Sequence, residues 1–222
     1  MNVTFLRLPI PIFYLLAVTS DMSSKIINIA KAWAKYDPNE KTSSYVQNLI
    51  EDTSSTSPPT ASVALKVLES LFPTDGSRIG FGTAGLRSAM KPGPLGMNDL
   101  VIIQATQGLA KYCLHVAALS KEEKKTNDND KKLIAIIGYD HRSNDELNLS
   151  SKSFALLTKL VFLQAGFECI LLDGFVATPL VAYATIKYKA AVGIMITASH
   201  NPKVDAGTIA IGPMNLFYSI HT

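Results

Sequence analysis

The sequence predicts an α/β protein, a mostly parallel sheet with helices on both faces. From Arg78 onward, short apolar runs suited to buried strands alternate with longer stretches whose apolar residues recur at helical spacing. Strands joined through helices imply right-handed βαβ crossovers, and such sheets are covered on both sides. A further observation concerns where the polar residues fall. Gly138-Tyr139-Asp140-His141-Arg142, Asp173-Gly174 and Thr197 to Lys203 each follow an apolar run. A parallel sheet gathers such clusters on one rim, the edge at which open α/β sheets bind ligands.

Taken in order, Met1 to Arg7 and then Leu8 to Val18 have the character of a charged region followed by a short apolar one. Val18-Thr19-Ser20 could serve as a cleavage site, whereas Pro9, Pro11 and the short length argue against a transmembrane helix. Two readings of residues 1–21 stay open: a secretory signal, or a non-native leader ahead of Met22. The remainder looks cytoplasmic. Residues 22–72 form a helical extension. Ile29, Trp33, Tyr45 and Leu49 recur at helical spacing, Asp37-Pro38-Asn39 divides the segment into two helices, and a Ser/Thr/Pro linker from Asp52 to Thr60 precedes a short helix over Val63 to Leu71.

Arg78 to Gly82 is predicted as the first strand. Asn98 caps a long helix whose face carries Leu100, Ile103, Ala110, Cys113 and Ala117. After a charged loop, Leu133 to Ile137 is a strand. Phe154, Leu157, Leu160, Val161 and Ala165 mark a helix that Gly166 terminates. Glu168 to Leu172 and Val192 to Ile196 are strands, separated by a helix that starts at Thr178-Pro179, where proline's missing N–H costs nothing.

At 222 residues, 47% hydrophobic and 18% charged, the chain can bury a sizeable core. A net charge of +3, with no basic stripe interleaved with aromatics, gives no support to nucleic-acid binding. Cys113 and Cys169 lie in apolar segments and read as buried free thiols rather than a disulfide framework. Oligomeric state is not legible.

Ser199 is the candidate nucleophile. Phosphoryl transfer asks a protein for a positioned oxygen and for cations that neutralise phosphoryl oxygens. Ser199 offers the oxygen, and His200 and Lys203 stand beside it. The plainer alternative is a serine that only makes a turn, as Ser-x-Asn-Pro commonly does. Gly80-Phe81-Gly82-Thr83-Ala84-Gly85 fits the dinucleotide pattern G-x-G-x-x-G. No helix opens at once after it, and no acidic residue closes a second strand about twenty residues on. Arg87 could grip phosphate in a bidentate fork or form a surface salt bridge. Arg142 either reaches the cleft or pairs with Asp140. His141 reads as an exposed loop residue. No G-x-S-x-G elbow accompanies a Ser-His pair.

Thr197-Ala198-Ser199-His200-Asn201-Pro202-Lys203 resembles the active-site serine signature of the α-D-phosphohexomutases. Phe81 to Arg87 resembles their amino-terminal FGTAGLR motif, and Asp140-His141-Arg142 their short D-x-R segment. The resemblance is to the eukaryotic phosphoglucomutase/phosphopentomutase branch and covers roughly Arg78 to Asp205. It implies a domain of the phosphohexomutase domain I type over 73–205, with hexose or pentose phosphates as partners. Ser199 would carry a phosphate that is donated to the sugar phosphate, and a bisphosphate intermediate would return the other phosphate to the serine. Ser199 and His200 are then the catalytic positions, with Arg87, Lys203 and Arg142 binding phosphate. Mg²⁺ would bridge the phosphate on Ser199 to three aspartates of a DxDxDR-type loop. The nearest match here, Asp128-Asn129-Asp130, lies in the charged loop and reads as a solvated surface. The family continues its serine loop as D-N-G-Y-K, whereas Asp205 is followed by Ala206-Gly207-Thr208-Ile209, so isoleucine holds the place of a proton-transferring lysine. Residues 206–222 are therefore expected to be a divergent tail, and the chain a shortened form without full activity. A non-catalytic form that binds phosphorylated ligands or a partner competes with that reading, and a dinucleotide-dependent oxidoreductase is a third.

Overall fold

Alternating side chains on two neighbouring strands explain the layering. In β3 (Ile134–Tyr139), Ala135, Ile137 and Tyr139 belong to one buried cluster and Ile136 to another. In β7 (Val192–Ile196), Val192, Ile194 and Ile196 join the first cluster and Met195 the second. The first cluster lies under α4 (Asp99–Lys124) and α5 (Ser151–Gln164), and the second under α6 (Thr178–Lys187). Helices thus cover both faces. The computed structural model describes residues 22–82, 85–124 and 132–212, with the side chains of 120–124 set aside. The leader over 1–21, Thr83-Ala84, the Asp128-Asn129-Asp130 stretch and residues 213–222 lie outside the described residues.

The main sheet has six strands in the order β1-β2-β8-β7-β3-β6. Its parallel part is β7-β3-β6, with Ile137 opposite Ile194 and Ile136 opposite Ile170 of β6 (Glu168–Leu171). The other side extends antiparallel through β8 (Asp205–Ile211), β2 (Gly85–Ala89) and β1 (Phe81–Gly82). Two reversals leave β2 running in the same direction as β7. The carboxyl ends of β2, β7, β3 and β6 therefore share one rim. A two-stranded ribbon, β4 (Ser143–Asn144) with β5 (Leu149–Ser150), leads into α5.

Three expectations change. The stretch expected as one strand over Arg78 to Gly82 is the start of a β1–β2 hairpin, with Gly82 opposite Gly85. A Gly-rich hairpin is not the strand–turn–helix of a dinucleotide fingerprint, so the oxidoreductase reading loses its structural basis. Gly85 serves the sheet instead: its φ is +126°, and a Cβ there would lie 2.0 Å from the Thr208 carbonyl oxygen of β8. Second, the boundary expected at Asp205 is not where the sheet ends. β8 sits between β7 and β2, with Ala206 in one buried cluster and Ile209 and Ile211 packed on the other. Its alternating, β-branched pattern suits a central strand whatever family residues it lacks. Third, α3 (Pro58–Leu71) starts inside the expected linker, because prolines are tolerated in a helix's first turn.

Local signals hold elsewhere. Asn98 Oδ1 accepts from Val101 N at 3.1 Å, while its Nδ2 donates to the Lys91 and Gly93 carbonyls at 2.9 and 2.8 Å. Ser150 and Ser153 cap α5 reciprocally, and Gly166 leaves it with φ +91°. The extension is α1 (Met22–Tyr36), α2 (Glu40–Asp52) and α3. It buries Ile26, Trp33, Val46, Leu68 and Phe72 together with Leu100 of α4, which fixes it to the α/β layer. Burying each such large side chain contributes about 1.5–3 kcal/mol. Both cysteines are free, and burial pushes each thiol up to about 11. Among the described residues no helix is long and apolar enough to cross a membrane.

Candidate active site

The serine loop leaves the carboxyl end of β7, and its burial changes abruptly. Thr197 and Ala198 are buried, whereas Ser199 and His200 are exposed. Ser199 takes φ +57°, a left-handed conformation rare for a residue with a Cβ and costing about 1–3 kcal/mol. Its amide donates to Thr197 Oγ1 at 2.9 Å, and its carbonyl accepts from Arg142 Nη2 at 2.8 Å. Two turns follow. Asn201 N donates to the Ala198 carbonyl at 3.0 Å, and Asp205 N to the Pro202 carbonyl at 3.0 Å. Asn201 Nδ2 closes the loop on Asp205 Oδ2 at 3.0 Å.

Arg87 reaches this loop through strand register. It lies in β2 opposite Gly207, and the Gly207 carbonyl accepts from Thr197 N at 2.9 Å. Arg87, Gly207 and Thr197 therefore form one row across three segments, two residues before Ser199. Leu86 and Ala206 pack on the α4/α5 side, so Arg87 and Gly207 face the other way. The half-buried Arg87 side chain makes no hydrogen bond or ion pair among the described residues, which leaves its guanidinium free for an anion. Gly207 makes the row possible: a Cβ there would lie 2.5 Å from the Leu86 carbonyl oxygen, 2.8 Å from that of Thr197 and 2.9 Å from Arg87 Cγ. Gly207→Ala should lower stability by about 2 kcal/mol through overpacking, read as a drop in the urea midpoint. An unchanged midpoint would show that the row can spread at no cost.

His200 and Lys203 are exposed on the loop, Lys203 within the second turn, and neither makes a hydrogen bond or ion pair among the described residues. Arg142, expected either to reach the cleft or to pair with Asp140, makes that pair. Its Nε pairs with Asp140 Oδ2 at 3.0 Å. Nη1 donates to the carbonyls of Asn201, Pro202 and Asp205 at 3.1, 2.6 and 3.0 Å. With Nη2 on Ser199, the guanidinium is spent on protein oxygens. Asp140 is one residue beyond β3, where its amide donates to the Ile196 carbonyl at 3.1 Å. Burial of its carboxyl is the largest single influence and opposes ionisation. Hydrogen bonds from Ser151, Thr197 and Arg142 together outweigh it and hold the group below the ordinary carboxylate value. His141 is exposed, its ring 6.2 Å from that of Phe175.

Among the described residues no group of three or more His, Cys, Asp or Glu is placed to hold a metal ion. Near Ser199, Asp140 is engaged by three partners and Asp205 accepts from Asn201. By themselves the described donors on this rim do not make a Mg²⁺ site, and a phosphate on Ser199 would add an anionic ligand to them.

Sequence reasoning passed over Thr197, Ser151 and Gly207. The D-x-R spacing pointed towards Asp140, but nothing local points to Gly207, whose constraint comes from strands β2 and β7 on either side.

Residues 78–216 match the family described as phosphoglucomutase/phosphomannomutase, alpha/beta/alpha domain I. The chain belongs to that family. This domain I is 49% identical over 134 residues to a phosphoribomutase of Saccharomyces cerevisiae, covering 59% of this chain and 19% of the relative. The human phosphopentomutase is 38% identical over 175 residues, 79% of this chain and 25% of its own length. The human glucose 1,6-bisphosphate synthase is 36% identical, with 79% and 24% covered. The chain thus spans about a fifth to a quarter of the length of the curated relatives it matches. The matched stretch runs through β8, so domain I sequence likeness continues beyond Asp205.

Proposed function

We propose that this chain carries the phosphoserine module of a sugar-phosphate mutase, acting on hexose or pentose phosphates. The observation that carries the reading is Ser199: an exposed hydroxyl on a left-handed residue, held at both backbone groups, on the same rim as Arg87, which is unpaired among the described residues. Ser199 Oγ attacks a phosphoryl group of a sugar bisphosphate. The Oγ–P bond forms, the P–O bond to the sugar breaks, and the hydroxyl proton leaves as the sugar oxygen gains one. The His200 imidazole is the neighbouring group able to carry that proton. Arg87 and Lys203 supply positive charge for the phosphoryl oxygens, the main demand of such a transition state. Mg²⁺ would add further neutralisation, with most of its ligands supplied from outside the described residues.

Incubating the 222-residue protein with glucose 1,6-bisphosphate and Mg²⁺ for hours tests the reading. Intact-mass and peptide analysis should find one slow phosphorylation, on Ser199, absent in Ser199→Ala and retained in Ser153→Ala. Phosphate spread over several serines, or none on Ser199, would refute it.

One observation favours a second reading. Ile209, in the place of the family's lysine, packs against the α6-side core and has no proton to give. On that reading the chain binds phosphorylated ligands through Arg87 and Lys203 without turnover. It then retains glucose 1-phosphate binding in Ser199→Ala while the unaltered protein never acquires phosphate.

A further inference from the structure

Both backbone polar groups of Ser199 are held by side chains at this rim. On one side, the Ser199 amide donates to Thr197 Oγ1 at 2.9 Å. On the other side, the Ser199 carbonyl accepts from Arg142 Nη2 at 2.8 Å, and Arg142 Nε donates to Asp140 Oδ2 at 3.0 Å. Asp140 is itself fixed by the Arg142 amide at 3.2 Å and by the Ser151 hydroxyl at 2.6 Å, the first residue of α5. We infer that Asp140 and Arg142 are positioning residues for Ser199, a half-buried pair whose grip on the Ser199 carbonyl, opposite Thr197 on its amide, selects its left-handed backbone and thereby aims Oγ. This rests on the reading of Ser199 as the phosphoryl carrier.

The placement and shape of Arg142 support its role as a device for the loop. Arg142 side-chain exposure is 10%, yet its carbonyl acceptors all come from residues 199–205 and none from elsewhere in the fold. A planar guanidinium reaches that many carbonyls and a carboxylate together, whereas a lysine ammonium presents its donors from one point. Charge-assisted bonds of this kind are strong enough to offset the cost of a left-handed serine.

The test uses the 222-residue protein with Arg142→Ala, Arg142→Lys and Thr197→Val, read in two independent ways. Backbone chemical shifts report the Ser199 conformation with no phosphate donor present. Phosphoryl uptake from glucose 1,6-bisphosphate reports where Oγ is aimed. Each variant should move the Ser199 shifts away from left-handed values and slow uptake, by about 10²-fold for Arg142→Ala, the size of effect expected from an ångström-scale misplacement. Because Thr197 and Arg142 hold the two backbone groups of one residue, the Thr197→Val and Arg142→Lys effects should combine non-additively. Millimolar methylguanidinium should restore both readouts in Arg142→Ala, which a general loss of folding would not allow. Ser199 shifts unchanged in all variants would overturn the inference, as would a change that methylguanidinium fails to reverse in a variant with an otherwise native spectrum. If the unaltered protein takes up no phosphate, the phosphoserine reading falls, and the shifts alone still decide whether Arg142 and Thr197 set the Ser199 backbone.

Discussion

A polypeptide of these 222 residues is expected to show no measurable interconversion of glucose 1-phosphate and glucose 6-phosphate. Ser199 is presented well, but a positioned nucleophile is one part of phosphoryl transfer. The Arg142 guanidinium is engaged by carbonyls of the loop. Ile209 packs against the α6-side core and has no proton to give, and among the described residues no group of three or more His, Cys, Asp or Glu is placed to hold Mg²⁺. Each missing electrostatic donor typically costs about 10²–10³ in rate. A coupled assay with Mg²⁺ and a trace of glucose 1,6-bisphosphate checks this, with Ser199→Ala as baseline. Turnover well above that baseline would mean that this chain's own residues suffice.

The second large effect lies away from the rim. Asp99, the first residue of α4, is buried against the extension, where Asp37 and Asn39 face it, and its Oδ1 has no hydrogen-bond partner among the described residues. Burial, and then the Asp37 charge, push its carboxyl up to about 6, against a smaller opposing hydrogen bond from Asn39. Asp37 is raised as well, chiefly by burial. A raised folded-state value favours the protonated acid. The stabilisation is therefore complete below about pH 4, the usual carboxylate range, and is lost as pH climbs through about 6. At pH 7.5 an ionised Asp99 is a net cost. Asp99→Asn should then raise unfolding stability at pH 7.5 by up to about 3 kcal/mol, at ~1.36 kcal/mol per pH unit. At pH 4 the gain should nearly vanish. Denaturant midpoints at both pH values decide it, and an Asn variant no more stable at pH 7.5 would mean that Asp99 makes a stabilising contact as an anion.

The rim itself shows how far local reading goes. Apolar runs located β3 and β7, because strands buried on both faces must be apolar throughout, and the apolar run that follows exposed Glu168 located β6. Asn98, Gly166 and Pro179 located helix ends because capping is a property of a few adjacent residues. The serine motif located the loop that carries Ser199. By contrast, Arg142 read equally well as a cleft residue or as the partner of Asp140, and the structure gives it Asp140 and the serine loop together.

By itself, then, the sequence determined the α/β class, the positions of the strands and helices around the serine loop, and the family to which that loop belongs. Each of these follows from residues close together in the chain, through periodicity, capping or an intact motif. Tertiary structure alone decided that β8 continues the sheet past Asp205, that Gly207 must lack a side chain, and that Arg142 holds a loop some sixty residues away. Those outcomes depend on which strands become neighbours and on which acceptors crowd one guanidinium. Such relations between distant segments leave no periodic trace in a single sequence.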